Sequence, residues 1–358
     1  MNTKPAIAAE QIRAQILAGA YSIGERLPSE RKLAETFNCT QFTISKAISI
    51  LEEEGLVAKK RGSGNYIKNT KTTITVAFLT CERGSRINPI WHAVYDALNI
   101  LTATSNIHYI LCVIPQQSDE IPSFKMEDAD IIIAALGLRE MLVTKILRIN
   151  KPVIWLEEYH RELPGVTVSF DNYQAGVLAG EHLFSCGCRN LAYVQYDNKY
   201  FPSNRRFEGL QSALQEKGEY FNLVTYTWFG DELEAMLRLQ NQLRKENGID
   251  GVFCFADAMV PWVIRAAFSV DRRIPDDLTV MGIDGSELSR IFLPSFTTID
   301  HSAVKIANKT FAELQNIMNG TINQGIQFIE PKLIPRDSTS YQKQEPKHAG
   351  MPKVAVHV

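Results

Sequence analysis

Four carboxylates in this chain stand directly after short apolar runs: Glu157 after PVIWL, Asp171 after VTVSF, Asp257 after VFCFA and Asp284 after TVMGI. Two indoles keep similar company, Trp228 at the end of LVTYT and Trp91 at the start of a helical stretch, and Arg206 opens the helix that follows NLAYVQ. Carboxylates accept hydrogen bonds from hydroxyls, a guanidinium donates to them, and an indole lies flat against the apolar face of a pyranose ring. Together they suit a sugar-like ligand. Each residue alone also has a structural use, since an Asp after a strand commonly caps the next helix. It is their expected convergence that points to a site.

A second constellation lies near the N-terminus. In CTQFTISKAI, Ile44, Ala47 and Ile48 recur with Leu51 as one apolar helical stripe, which leaves Gln41, Ser45 and Lys46 on the wet side. Thr40 is placed to cap this helix, and Ser29, after Pro28, to cap a shorter one that exposes Arg31 and Lys32. After EEEG at Glu52–Gly55 the segment LVAKKRGSGNYI reads as strand, loop, strand, with Lys59, Lys60 and Arg61 leading into Gly62, Ser63 and Gly64. Three helices and a basic hairpin make a winged helix-turn-helix, whose third helix enters the DNA major groove. The hairpin glycines let backbone approach phosphates. The bland alternative is a helical bundle with a solvated polar face. The DNA-facing set is therefore Arg31, Thr40, Gln41, Thr43, Ser45, Lys46, Lys60, Arg61, Gly62 and Gly64. Glutamine at position 41 can pair in bidentate fashion with adenine.

The elements that would position the first set follow a polar linker, KNTKTT. Near-continuous apolar strands (ITVAFLT, YILCVI, DIIIAAL, PVIWL, GVTVSF, NLAYVQ, VFCFA, LTVMGID, FTTID) alternate with helical stretches. That pattern argues for parallel sheets covered on both faces, with ligands at the carboxyl ends of the strands. Such a length exceeds what one sheet of this kind needs and implies two lobes. The expected fold class is α/β: residues 1–68 a winged helix-turn-helix, 69–73 a linker, 74–340 a two-lobed domain with parallel sheets, periplasmic-binding-protein-like by the resemblance given below, and 341–358 a C-terminal tail.

Composition narrows the function classes. Residues 1–70 hold ten Lys/Arg against seven Asp/Glu, while the whole chain of 358 residues has a net charge of −2, so a mildly basic head sits on an acidic body. That is compatible with nucleic acid at the head. No apolar run approaches ~18 residues, and MNTKPAIAAEQIRAQ lacks the apolar core of a signal peptide, so a cytoplasmic protein without membrane contact is expected. The six cysteines read as small reduced core residues, and the C-x-C of Cys186 and Cys188 is a poor zinc spacing. The EEYH run, Glu157–His160, has the context of a ligand loop. The chain carries neither G-x-S-x-G nor H-E-x-x-H. No enzyme, cofactor or metal is expected.

Residues 7–67 resemble the DNA-binding domain of the GntR family, through LPSERKLAE (Leu27–Glu35), the T-x-x-T-I-x-x-A-I spacing of Thr40–Ile48, and LEEEGLVAKKRGSGNYI (Leu51–Ile67). That family usually has arginine where this chain has Gln41 and Ser45, a departure that puts its usual operator preference in doubt. The larger part resembles the effector-binding domain of the LacI/GalR family. The resemblance rests on FDNYQAGVLAGEHLFSCGCRNLAYV (Phe170–Val194), RRFEGL (Arg205–Leu210), RIPDDLTVMGIDG (Arg273–Gly285), PSFTTI (Pro294–Ile299) and PRDST (Pro335–Thr339). It places Arg206 and Asp284 on ligand-binding positions, with Trp91, Glu157, Asp171, Trp228 and Asp257 near others. The two resemblances together imply a homodimeric repressor of operator DNA answering to a small-molecule effector, expected to be a sugar. The family's own head and hinge helix are replaced here. A solute-binding protein for transport would leave the head unexplained. An enzyme fused to a DNA-binding head would need a Schiff-base lysine, for which no motif is found.

Overall fold

The computed structural model describes residues 3–17, 20–60, 62–68, 73–81, 90–115, 128–135, 140–195, 200–218, 222–227, 232–244 and 248–339. Arg61, Trp228, all of the linker but Thr73, and the tail 341–358 lie outside the described residues.

The head consists of α1 (Lys4–Leu17), α2 (Glu30–Thr36), α3 (Gln41–Glu53) and the hairpin β1 (Val57–Lys60) with β2 (Gly64–Ile67). Both caps form as the sequence implies: Ser29 accepts from the Lys32 amide and Thr40 from the Thr43 amide. Gly55, at φ 74°, ends α3 in a left-handed turn that favours glycine. Ile12, Ile16, Leu33, Ile44, Ile48, Leu51, Val57 and Ile67 form one closed core. The segment before α2 is tied to the wing by Leu27 N–H donating to the Asn65 carbonyl, 2.8 Å away.

Behind the head are two six-stranded sheets among the described residues. The first runs β13 (Gly325–Ile329), β7 (Val166–Phe170), β6 (Val153–Trp155), β5 (Ile131–Ala135), β3 (Ile74–Cys81), β4 (Ile107–Ile114), every pair parallel. The second runs β14 (Lys332–Ile334), β12 (Thr297–Asp300), β11 (Thr279–Asp284), β10 (Gly251–Cys254), β8 (Asn190–Gln195), β9 (Asn222–Thr227). β14 is antiparallel to β12, a departure from the all-parallel expectation. It follows β13 after only two residues, so the chain passes straight from one sheet to the edge of the other instead of making the helical crossover a parallel strand requires. The chain changes lobe at three places: Phe170–Asn172, Asp300–Ala303 and Ile329–Lys332.

On the second lobe the helices Asn172–Ser185 and Phe201–Glu216 meet with backbone almost against backbone. A Cβ on Gly176 would stand 2.0 Å from the Arg206 carbonyl oxygen, and one on Gly209 equally close to that of Tyr173. Helix propensity alone favours alanine over glycine by about 1 kcal/mol. We expect the opposite sign for Gly176→Ala, a loss of about 1–3 kcal/mol from forced separation of the helices. Urea unfolding with an unchanged m-value reads it, and a midpoint at or above wild type would show that the helices part freely.

Candidate functional site

The segments after β3, β6, β7, β8, β10 and β11, including the helix Phe201–Glu216, whose sixth residue is Arg206, deliver side chains to the gap between the lobes. Arg206 is the centre, 1% exposed. Its Nε donates to Asn172 Oδ1 at 2.9 Å, its Nη1 donates to the Phe255 carbonyl, and its guanidinium lies 4.2 Å from the Phe255 ring centroid. Phe170 borders it at 5.8 Å, and its ring meets that of His301 at a tilt of 56° with centroids 3.9 Å apart. Asn172 also donates to Glu158 Oε2, at 3.2 Å. From the first lobe Glu157 reaches across and accepts from the Tyr200 hydroxyl on its Oε1. Its Oε2 is buried without a hydrogen-bond partner among the described residues.

Burial pushes the Glu157 carboxyl up to about 8, against the opposing pull of the Tyr200 hydroxyl, the Trp91 indole and the Arg206 charge. Asp284 is pushed up to about 7 by burial, with Arg206 and the Asp257 amide pulling it down. Glu158 is raised as well, chiefly by burial. His301, whose Nδ1 is 3.4 Å from Asp284 Oδ1, is held well below its ordinary value by burial and by Arg206, and is neutral. The centre is thus one fixed cation among carboxyls that burial drives toward neutrality, lined by aromatic faces. Such a surface exchanges neutral hydrogen bonds with hydroxyls.

The structure brings Trp91, Glu157, Arg206 and Asp284 together, and it does not bring Asp257 or Asp171 to the same use. Asp257 is fully buried, and both its oxygens are taken: Oδ1 by the Thr298 hydroxyl at 2.7 Å, Oδ2 by the Ser286 amide and hydroxyl at 2.9 and 2.8 Å. Its amide donates to Asp284 Oδ2, so it positions Asp284 and, being fully buried, does not itself face the cleft. Asp171 caps the helix Asn172–Ser185 through Oδ1 and the Gln174 amide, the structural use noted for an Asp after a strand. Tyr200, Phe170, Phe255, Asn172 and His301 were not anticipated; their types fit a core equally well, and only their meeting around Arg206 marks them.

In the head, Gln41 and Lys46 are exposed and Ser45 is half-buried on one side of α3. Thr43 is a correction: it is buried, and its hydroxyl pairs with that of Thr40 at 2.9 Å, so both serve the cap. Arg31 is exposed beside Glu35 at 3.8 Å. Lys60 lies 4.8 Å from the Tyr66 ring centroid, while Lys59 is bound to Ser49 and Glu52. Gly62 (φ 75°) and Gly64 (φ 123°) form the wing turn. Arg26, missed in the sequence, packs so closely on Gly64 that a Cβ there would meet its Nε at 2.7 Å.

Unfolded, the Glu157 side chain ionises near 4.5; folded, it holds its proton to about 8. Unfolding between those values releases a proton, so this group's contribution to stability falls as pH rises through that window. Asp284 acts the same way up to about 7. The neutral His182, lowered to about 4 by burial, acts oppositely and costs stability as pH falls below 6.5. Glu157→Gln should therefore flatten the fall from pH 5 to 8 and raise stability at pH 8 by on the order of 1–3 kcal/mol relative to wild type. Denaturant midpoints of both proteins across that range are the check, and parallel curves would mean that Glu157 ionises in the folded state as it does in water.

Two family models match separate parts of the chain. Residues 6–67 match the bacterial regulatory proteins of the gntR family, and residues 181–339 match a periplasmic binding protein-like domain. Among curated relatives, an arabinose metabolism transcriptional repressor of Halalkalibacterium halodurans is 25% identical over 96% of this chain and 99% of its own length. A ribose operon repressor of the same organism is 26% identical over 70% of this chain and 76% of its own. Among solved structures, a LacI family transcriptional regulator from Enterococcus faecium with bound ribose is 21% identical, covers 75% of this chain and 100% of that one, and superposes with a TM-score of 0.64. It shares the fold of the two-lobed part. No helix among the described residues is long and apolar enough to cross a membrane. The chain is thus a chimera in organisation, a segment that matches the gntR family at residues 6–67 joined to one that matches a periplasmic binding protein-like domain at residues 181–339.

Proposed function

We propose that this protein is a transcriptional repressor that binds operator DNA through its head as a homodimer and changes its affinity when a sugar occupies the interlobe cleft. The observation that carries the sugar reading is the buried Oε2 of Glu157, which makes no hydrogen bond of normal geometry among the described residues. A buried polar atom without a partner asks for one. A carboxyl that stays protonated near neutral pH offers both a donor and an acceptor, which matches a ligand hydroxyl and not a cation. The two relatives that carry the reading are named as repressors of ribose and arabinose systems, and the neighbour from Enterococcus faecium holds ribose. With both sites on one chain, the effector shifts operator affinity by the same factor that operator shifts effector affinity.

A thermal-shift screen over a panel of pentoses and hexoses, with and without operator, tests this. A binding sugar raises the unfolding midpoint in proportion to the logarithm of its concentration over Kd. Arg206→Lys keeps the charge but loses the planar fork, and should weaken that response by about 2–5 kcal/mol while operator binding persists. Equal sugar response in the variant, or none in wild type to any sugar, would refute the assigned cleft. In the head, Lys60→Ala should weaken all duplexes alike and flatten the salt slope by about one, and Gln41→Ala should blunt discrimination at one A·T pair per half-site without changing that slope. Sedimentation with a two-half-site duplex reads the dimer.

A further inference from the structure

The helix α3 exposes one large apolar side chain, Phe42, 70% accessible at the second residue of the helix. The head's core is complete without it: Ile44, Ala47, Ile48 and Leu51, the inner stripe of the same helix, are fully buried. Phe42 shares the outer line with Ser45, Lys46 and Ser49, three, four and seven residues on. The Lys46 ammonium lies 5.8 Å from the ring centroid, which places the ring beside a cation suited to a phosphate. Gln41, which can pair with adenine, is its chain neighbour. On the base edges of the major groove the distinctive apolar group is the thymine methyl, and phenylalanine is among the side chains that contact it.

We infer that Phe42 is a specificity-determining residue that packs on a thymine methyl group in the major groove, beside the base pair read by Gln41. Phe42 adds an apolar reading to a face whose exposed polar groups are neutral except for Lys46. The proposal rests on the DNA-binding reading of the head, and the two can fail separately.

The full-length protein is used to enrich duplexes from a random pool. Each thymidine of the enriched site is then replaced in turn by deoxyuridine, which removes only the methyl group. Replacement at the read position should weaken wild-type binding about fourfold in one half-site and about sixteenfold in both, fourfold being the value of one buried methyl-sized group. Phe42→Ala should bind the thymidine duplex as weakly as wild type binds the duplex replaced in both half-sites, and should no longer distinguish the two. Its thermal midpoint should match wild type, because the side chain is exposed. An enriched site in which every thymidine tolerates the replacement overturns this inference alone. So does a Phe42→Ala protein that keeps the wild-type methyl preference. A protein that enriches no duplex overturns the DNA-binding reading and this inference with it.

Discussion

A guanidinium with 1% exposure has to be answered inside the protein, and the interlobe cleft is arranged around that demand. An unpaired buried charge costs several kcal/mol, and removing one partner of a buried network costs more than the network contributes when intact. Arg206 is met by an amide oxygen, a backbone carbonyl and the face of Phe255 rather than by a full carboxylate in contact. The carboxyls of Glu157, Glu158 and Asp284 lie close enough for its charge to pull on each, yet burial moves all three the other way. The cleft therefore holds one fixed positive charge and several groups poised between protonation states. A ligand with hydroxyls can satisfy them without bringing a charge of its own.

The same demand explains the glycines of the second lobe. Arg206 reaches the cleft only because its helix lies against Asn172–Ser185 at backbone distance, with Gly176 facing the Arg206 carbonyl. A wider spacing would carry the guanidinium away from Asn172, which links Arg206 to Glu158. Here a packing requirement and a binding requirement fall on one residue pair.

The alternation of apolar strands and helices made the sheets legible in the sequence, and strand ends located Glu157, Arg206 and Asp284. What spacing could not tell was how each oxygen is spent. Asp257 and Asp284 both stand near the ends of neighbouring strands, yet Asp257 is fully enclosed and bonded to Thr298 and Ser286, whereas Asp284 keeps 9% of its surface accessible. Asp171 likewise follows its strand as a ligand would and is a cap. Tyr200, Phe170 and Phe255 were hidden for the opposite reason: an aromatic near a strand end is the commonest kind of core residue, and only tertiary contact, of Phe170 and Phe255 with Arg206 and of Tyr200 with Glu157, distinguishes these. The head was more legible because its logic is local. Caps, a stripe of period 3.6 and a glycine turn lie within a few residues of one another, whereas the antiparallel β14 depends on a lobe crossing that no local pattern encodes.

The crossings connect the cleft to the rest of the molecule. Phe170 ends β7 at the first crossing, and His301 stands in the second, where Ser302 takes a left-handed backbone, φ 46°, fixed by its amide donating to Asp300 Oδ1 at 2.8 Å. Non-glycine residues adopt that conformation at a cost, and it persists where the surroundings determine it. Phe170 and His301 touch ring to ring at a tilt, and His301 also faces Asp284. Asp284 is thus linked through His301 to both crossings. The helix Ala303–Met318 begins immediately after Ser302, and Asn319 at its far end accepts a hydrogen bond from Lys68, the last described residue of the head before the linker. Ring contact, crossing, helix and head thus follow one another through direct contacts among the described residues, which joins the interlobe gap to the head.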